Sequence, residues 1–315
     1  MNQGKRIETE GNLYINPLTD FGFKRIFGDE EIMMDFLNDL IEPKSPITSI
    51  EFIDKDAVAT NKYERGVIYD LRCKTADGNE IIVEMQKGEQ QYFADRILYY
   101  LSRSIAPQGY KGKQLKDLEA EKKQFVSWDF NLKPVYGVFF LNFELSGYEP
   151  CPLRKIQFTI NGTDKVFCDK VRAYTIELPD YRDYKESDCK THLDYWNYIM
   201  THMETMNTQL PFLNEKPIFN KVASIASMAA MHSDELQLYM DSVDAYRTTM
   251  AAFAFSEMKG EERGIAIGEE RERELQLKKQ EQERISNITR MRSKGLDSEA
   301  IADFLDLPLE YVQQH

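Results

Sequence analysis

No stretch of the sequence approaches the ~18 to 20 consecutive apolar residues that a helix needs to cross a bilayer. The leading segment, MNQGKRIETEGN, holds no apolar run that could serve as a secretion signal, so a cytoplasmic location with no membrane partner is expected. Cysteine is sparse. Cys73, Cys151, Cys168 and Cys189 lie far apart, without a CxxC pair. This argues against a zinc site and, in an intracellular chain, against a disulfide framework. The four histidines (His192, His202, His232 and His315) form no HExxH-like ligand pattern. Any metal must therefore be held by oxygen atoms, which favours magnesium or manganese over zinc.

Positive charge is also in deficit. Forty Lys and Arg stand against 53 Asp and Glu, a formal net charge of −13. Indiscriminate nucleic-acid binding relies on the opposite sign. A local basic stripe remains available, because the fourteen residues from Arg103 through Lys111 and Lys113 to Lys116 contain no acid. They read either as a DNA-contacting stripe or as a solvated basic loop.

Core material is plentiful. Hydrophobic residues make up 42% and aromatics 12% of 315 residues, enough for one large domain with an appendage or two modest domains. Asn16-Pro17-Leu18-Thr19-Asp20 predicts a turn leading into a helix, with Thr19 or Asp20 as its cap. Phe23, Ile26 and Phe27 share one face of that helix, and Ile32, Met33, Phe36, Leu37, Leu40 and Ile41 recur with helical period in a second. Strands are expected at 47–53, 66–73 and 80–86, a helix at 89–106, a doubly buried strand at 134–143, and one or two strands within 166–178. From 189 to 255 the pattern is mostly helical. The segment 261–284 carries eight Glu and six Lys or Arg and reads as a solvated, ion-pair-laced helix. In the last residues, Gly295 is placed as a helix C-cap, Asp297 or Ser298 as the next N-cap, and Pro308 as a helix start. Their apolar face (Ile301, Leu305, Leu307, Leu309, Val312) is too small to stand alone, so it must dock or dimerise. The order of elements predicts an α/β sandwich around a mixed sheet.

The chemistry-bearing feature is a hairpin. Alternation along 80–86 puts Ile82, Glu84 and Gln86 on one face and Ile81, Val83 and Met85 on the other. A carboxylate in so apolar a strand is costly to bury without a partner or a metal. Asp70 interrupts GVIYDLRC in the same way. The register depends on the turn. A two-residue Asp77-Gly78 turn would put Asp70 and Glu84 on opposite faces. A three-residue loop, Ala76-Asp77-Gly78 with a left-handed glycine, pairs them on one face, and that loop is predicted. Two facing carboxylates repel unless a cation sits between them. Phosphodiester cleavage is the reaction that most often uses such a pair.

A strand aspartate, a hairpin and then Glu-x-Gln resemble the core of PD-(D/E)XK nucleases. The segment Thr19-Asp20-Phe21-Gly22-Phe23-Lys24-Arg25-Ile26-Phe27-Gly28, with Asp70 and Ile82-Val83-Glu84-Met85-Gln86, resembles one branch in particular, the recombination-promoting nuclease (Rpn) and transposase family. The resemblance covers roughly 12–255 and implies a restriction-endonuclease-like core, a mixed central sheet flanked by helices, with a helical C-terminal tail. It divides the chain into a nuclease-like domain at 12–255, a charged helical linker or coiled coil at 256–286, and a helix-turn-helix-like tail at 287–315 that is a candidate for homo-oligomer assembly. It implies Asp70 and Glu84 as ligands of Mg2+ or Mn2+, with the Met85 carbonyl contributing. Asp20 is either a further ligand or a helix cap. Gln86 stands where the superfamily usually has lysine, so Lys24 is the candidate source of the missing positive charge. Asp70, Glu84, Gln86 and Lys24 are thus the expected catalytic set, and Arg103, Lys111, Lys113 and Lys116 the expected DNA contacts. The implied activity is metal-dependent DNA endonuclease cleavage tied to recombination or mobile elements. The other reading is a catalytically weak or inactive nuclease scaffold that binds DNA or assembles proteins, favoured by the missing lysine and the acidic balance.

Overall fold

The computed structural model describes residues 12–53, 70–121 and 131–315, with two short backbone strands at 56–57 and 67–68, and side chains in the third helix as far as residue 109. Two compact units emerge, Met1–Met250 and Ala251–His315.

In the first unit, Thr19 caps helix α1 (Asp20–Phe27), its hydroxyl accepting the Gly22 N–H at 3.0 Å. Asp20 is therefore inside the helix and not its cap. Asp29 caps α2 (Glu30–Ile41), accepting from Glu31 and Ile32. Strands β1 (Ile50–Phe52), β2 (Asp56–Ala57), β3 (Val67–Ile68), β4 (Leu71–Thr75) and β5 (Glu80–Gln86) follow, then α3 (Phe93–Glu121), β6 (Val135–Leu141), β7 (Leu153–Thr159), β8 (Val166–Glu177), α4 (His192–His202), α5 (Ile218–Ala226) and α6 (Ser233–Ser293). Six strands form one mixed sheet in the order β1-β4-β5-β6-β8-β7. The central pairs β5–β6 and β6–β8 are parallel, and β1–β4, β4–β5 and β7–β8 are antiparallel.

Strand alternation sorts the two faces. Ile81, Val83, Met85, Val138, Phe140 and Ile176 join the large core under α1, α2, α4 and α5. Ile82, Phe139, Leu141 and Ala173 meet Phe93, Ile97, Tyr100 and Leu101 of α3 on the other. Phe140 is central to the first face: its ring lies 5.6 Å from Phe23, 5.5 Å from Phe27 and 5.2 Å from Phe36, centre to centre. Phe140→Ala is expected to remove about 3–5 kcal/mol of stability. Urea unfolding measures this, and a loss below about 1 kcal/mol would mean the ring cluster is not the joint between helices and sheet.

Three expectations are corrected. The segment 66–73 is not one strand: β3 pairs with β2 in a separate ladder, and β4 begins only after Asp70. The helix expected at 89–106 runs on to Glu121 with Pro107 inside it. A proline removes one hydrogen bond and kinks a helix, but need not end one. Consequently Lys111, Lys113 and Lys116 continue a helical backbone and do not form a loop. Strand β7 was not anticipated. LRKIQFT is an edge strand whose Lys and Gln hide the apolar alternation, as edge strands commonly do.

In the second unit, the last turns of α6 pack against α7 (Ser298–Leu305) and α8 (Leu309–Gln314). Ile288, Ile301, Ala302 and Val312 are buried there, while Leu309, assigned to the apolar face, is 37% exposed. Gly295 takes a φ of 88° where α6 ends, and Asp297 caps α7 by accepting the Ala300 N–H. The charged segment 261–284 lies wholly within α6. No described helix is long and apolar enough to cross a membrane.

Candidate metal centre at the β4–β5 hairpin

The hairpin has the three-residue loop. Thr75 and Asn79 close it, the Thr75 N–H donating to the Asn79 carbonyl at 2.9 Å, and Gly78 is left-handed with a φ of 85°. The pairs Leu71↔Val83, Arg72↔Ile82 and Cys73↔Ile81 then bring Asp70 opposite Glu84. The ladder stops at Leu71↔Val83, and side chains take over from it. The Asp70 N–H donates to Glu84 Oε1 at 3.1 Å, and the Met85 N–H donates to Asp70 Oδ2 at 2.8 Å. Gln86 Nε2 donates to Glu84 Oε2 at 3.2 Å. Leaving the sheet at Asp70 lets its carboxylate fold over the end of β5, which a straight strand would not allow.

Burial sets the electrostatics. Glu84 is 2% exposed and Gln86 5%. Burial first, then the neighbouring Asp70 carboxylate, push the Glu84 carboxyl up to about 8. Burial also pushes Asp70 up. Neither carboxylate has an ion-pair partner among the described residues. A buried and a half-buried carboxyl, all-oxygen donors and mutual repulsion form a site suited to a hard divalent cation such as Mg2+ or Mn2+. Among the described residues, no group of three or more His, Cys, Asp or Glu side chains is gathered closely enough to hold a metal. Asp20 instead pairs with Lys24 at 2.7 Å.

The structure therefore brings Asp70, Glu84 and Gln86 into contact. Lys24 and Asp20 stand farther off, on α1, close enough for their charges to act on Asp70. Arg103 lies on α3, outside this contact set. The side chains of Lys111, Lys113 and Lys116 fall outside the described residues. Sequence reasoning passed over Arg96 and Lys87, whose charges also act on the pair, Arg96 on Glu84 and Lys87 on Asp70. A signal for Arg96 was present. Arg96 and Tyr100 are four residues apart on a helix that must cover the Glu84 face of the sheet, so they share one side of it.

The family described as PD-(D/E)XK nuclease family transposase matches residues 17–254. No curated protein and no solved structure gives a significant match. The matched span takes in α1, the Asp70–Glu84 hairpin and the whole six-stranded sheet, and the chain belongs to the PD-(D/E)XK nuclease family of transposases.

Proposed function

We propose that the protein is a divalent-metal-dependent DNA endonuclease whose metal is held by Asp70 and Glu84. The observation that carries this reading is the pairing of buried Glu84 with half-buried Asp70, both raised by burial and neither with an ion-pair partner among the described residues. The Met85 carbonyl and water would complete the ligand shell. When bound, magnesium or manganese would neutralise the pair and stabilise charge developing on the phosphodiester oxygens. Gln86 carries no charge, but its amide fixes the rotamer of Glu84 and can orient a water. Lys24, on the rim of the site, adds positive potential for a phosphate. The family's transposase description supports a role in recombination or mobile-element biology.

The test is nicking of supercoiled plasmid with added magnesium or manganese. Wild type is expected to nick only with metal, and Asp70→Ala and Glu84→Ala are expected to lose at least about a thousandfold in rate. A second reading, an inactive scaffold that binds DNA or assembles partners, draws on the neutral Gln86 in place of lysine and on the net charge of −13. No nicking by wild type, together with no metal binding by calorimetry, would select it.

A further inference from the structure

A nuclease site that holds a phosphodiester beside two carboxylates needs a positive charge whose field is not cancelled. Gln86 cannot supply one. Lys24 is matched by Asp20 at 2.7 Å. Lys87 follows the end of β5 and lies over the Tyr246 ring, 5.9 Å from its centre.

Arg96 differs from both. It comes one turn before Tyr100 on α3, and Tyr100 packs into the cluster that covers Ile82, on the same strand face as Glu84. Its guanidinium sits 5.1 Å from the centre of the Tyr100 ring. One terminal nitrogen donates to the Tyr100 hydroxyl at 2.8 Å and the other to the Gln90 side-chain carbonyl at 2.7 Å. Both of these partners are neutral, so they fix the guanidinium in place without discharging it. Its buried Nε has no hydrogen-bond partner among the described residues. The Arg96 and Lys24 charges both act on Glu84.

A planar fork with fixed orientation and spare N–H donors matches two phosphate oxygens far better than a flexible ammonium does. We propose that Arg96 is a catalytic residue of this site, contacting a phosphate of the bound strand and supplying from α3 the positive charge that the superfamily's lysine supplies from β5. The proposal rests on the nuclease reading above. Arginine stays protonated throughout, so its role is to bind phosphate and stabilise charge, and it takes no proton. Tyr100 and Gln90 are positioning residues that hold the fork.

Two readouts on the full chain separate this proposal from the nuclease reading. The first is binding of a short fluorescent DNA duplex in chelator, across a salt series. The second is plasmid nicking with magnesium or manganese, resolved into kcat and KM. Arg96→Gln is expected to weaken metal-free duplex binding about tenfold and to lower the slope of log Kd against log salt by about one. Its kcat is expected to fall ~10²–10³-fold with an unchanged circular dichroism spectrum. Arg96→Lys should restore the salt slope but only part of kcat, and Lys24→Gln should cost less than Arg96→Gln in both readouts.

Wild-type affinity and salt slope in Arg96→Gln would overturn the proposal, as would a wild type that binds no duplex. If Arg96→Gln lowers the slope while no variant, wild type included, nicks DNA, the phosphate contact stands and the nuclease reading fails. Should Arg96→Gln not fold, Arg96→Lys decides: kcat about tenfold down supports the fork, and kcat equal to wild type overturns it.

Discussion

Glu84→Gln is expected to raise the melting temperature of the protein in chelator while removing metal-dependent nicking. The gain in stability follows from the direction of the shift. Burial and Asp70 push the Glu84 carboxyl from its ordinary 4.5 up to about 8 in the folded protein. Between those two pH values the folded protein holds a proton that the unfolded chain has released. The contribution of Glu84 to stability in chelator is therefore full below about 4.5 and is lost as pH rises towards about 8. The loss is on the order of a few kcal/mol, and the upward shift of Asp70 adds in the same direction. Glutamine has the same shape and no charge, so its stability curve should be flatter over this window and higher at its alkaline end.

Metal should reverse the trend in wild type, because binding requires both carboxylates ionised. The gain in melting temperature on adding magnesium should grow with pH and be small in Glu84→Gln. Melting curves from pH 5 to 8.5, with chelator and with magnesium, read all of this at once. Parallel wild-type and Glu84→Gln curves in chelator would sink the idea that the buried carboxyl is uncompensated.

Gly22→Ala is expected to cost about 3 kcal/mol or more and to take activity down with the fold. A Cβ at Gly22 would lie 2.1 Å from the Asn16 carbonyl oxygen and 2.8 Å from the Thr19 hydroxyl oxygen. Neither neighbour can withdraw. The Asn16 carbonyl accepts from the Thr19 hydroxyl at 2.8 Å, and the Asn16 side chain accepts the Leu18 N–H at 2.7 Å. The Asn16 N–H donates to the Tyr239 hydroxyl at 2.9 Å, which ties the turn to α6. The same helix is held through Arg25–Glu235 at 2.7 Å. Moving the turn would move α1, and with it the Lys24–Asp20 pair at the rim of the site. Urea unfolding of Gly22→Ala against Gly109→Ala, where an added Cβ meets nothing within 4 Å, gives the measurement. A loss under about 1 kcal/mol at Gly22 would show that the turn gives way easily.

Much of the site was legible because it depends on local rules. Strand alternation places Ile82, Glu84 and Gln86 together whatever surrounds them. A glycine at position 78 permits the left-handed residue that a three-residue loop requires, and the loop alone sets Asp70 against Glu84. The caps at Thr19 and Asp297 and the helix end at Gly295 are likewise decided within a few residues. The segment from Thr19 to Gly28, read as a signature, is in the structure a packing device. Gly22 makes room for the Asn16 carbonyl, and Phe23 and Phe27 reach Phe140.

By itself the sequence determined the alternating strands, the turn that aligns the two carboxylates and the capped helices, because each depends on neighbours in the chain. Only the tertiary structure decided that β4 starts after Asp70, that β7 joins the sheet as an edge, that α3 passes through Pro107, and that Arg96 lies over the Glu84 face. These depend on partners from distant parts of the chain. Burial is what raises Glu84, and burial is made by the helix and the neighbouring strand that close over it, not by the residues beside it in sequence.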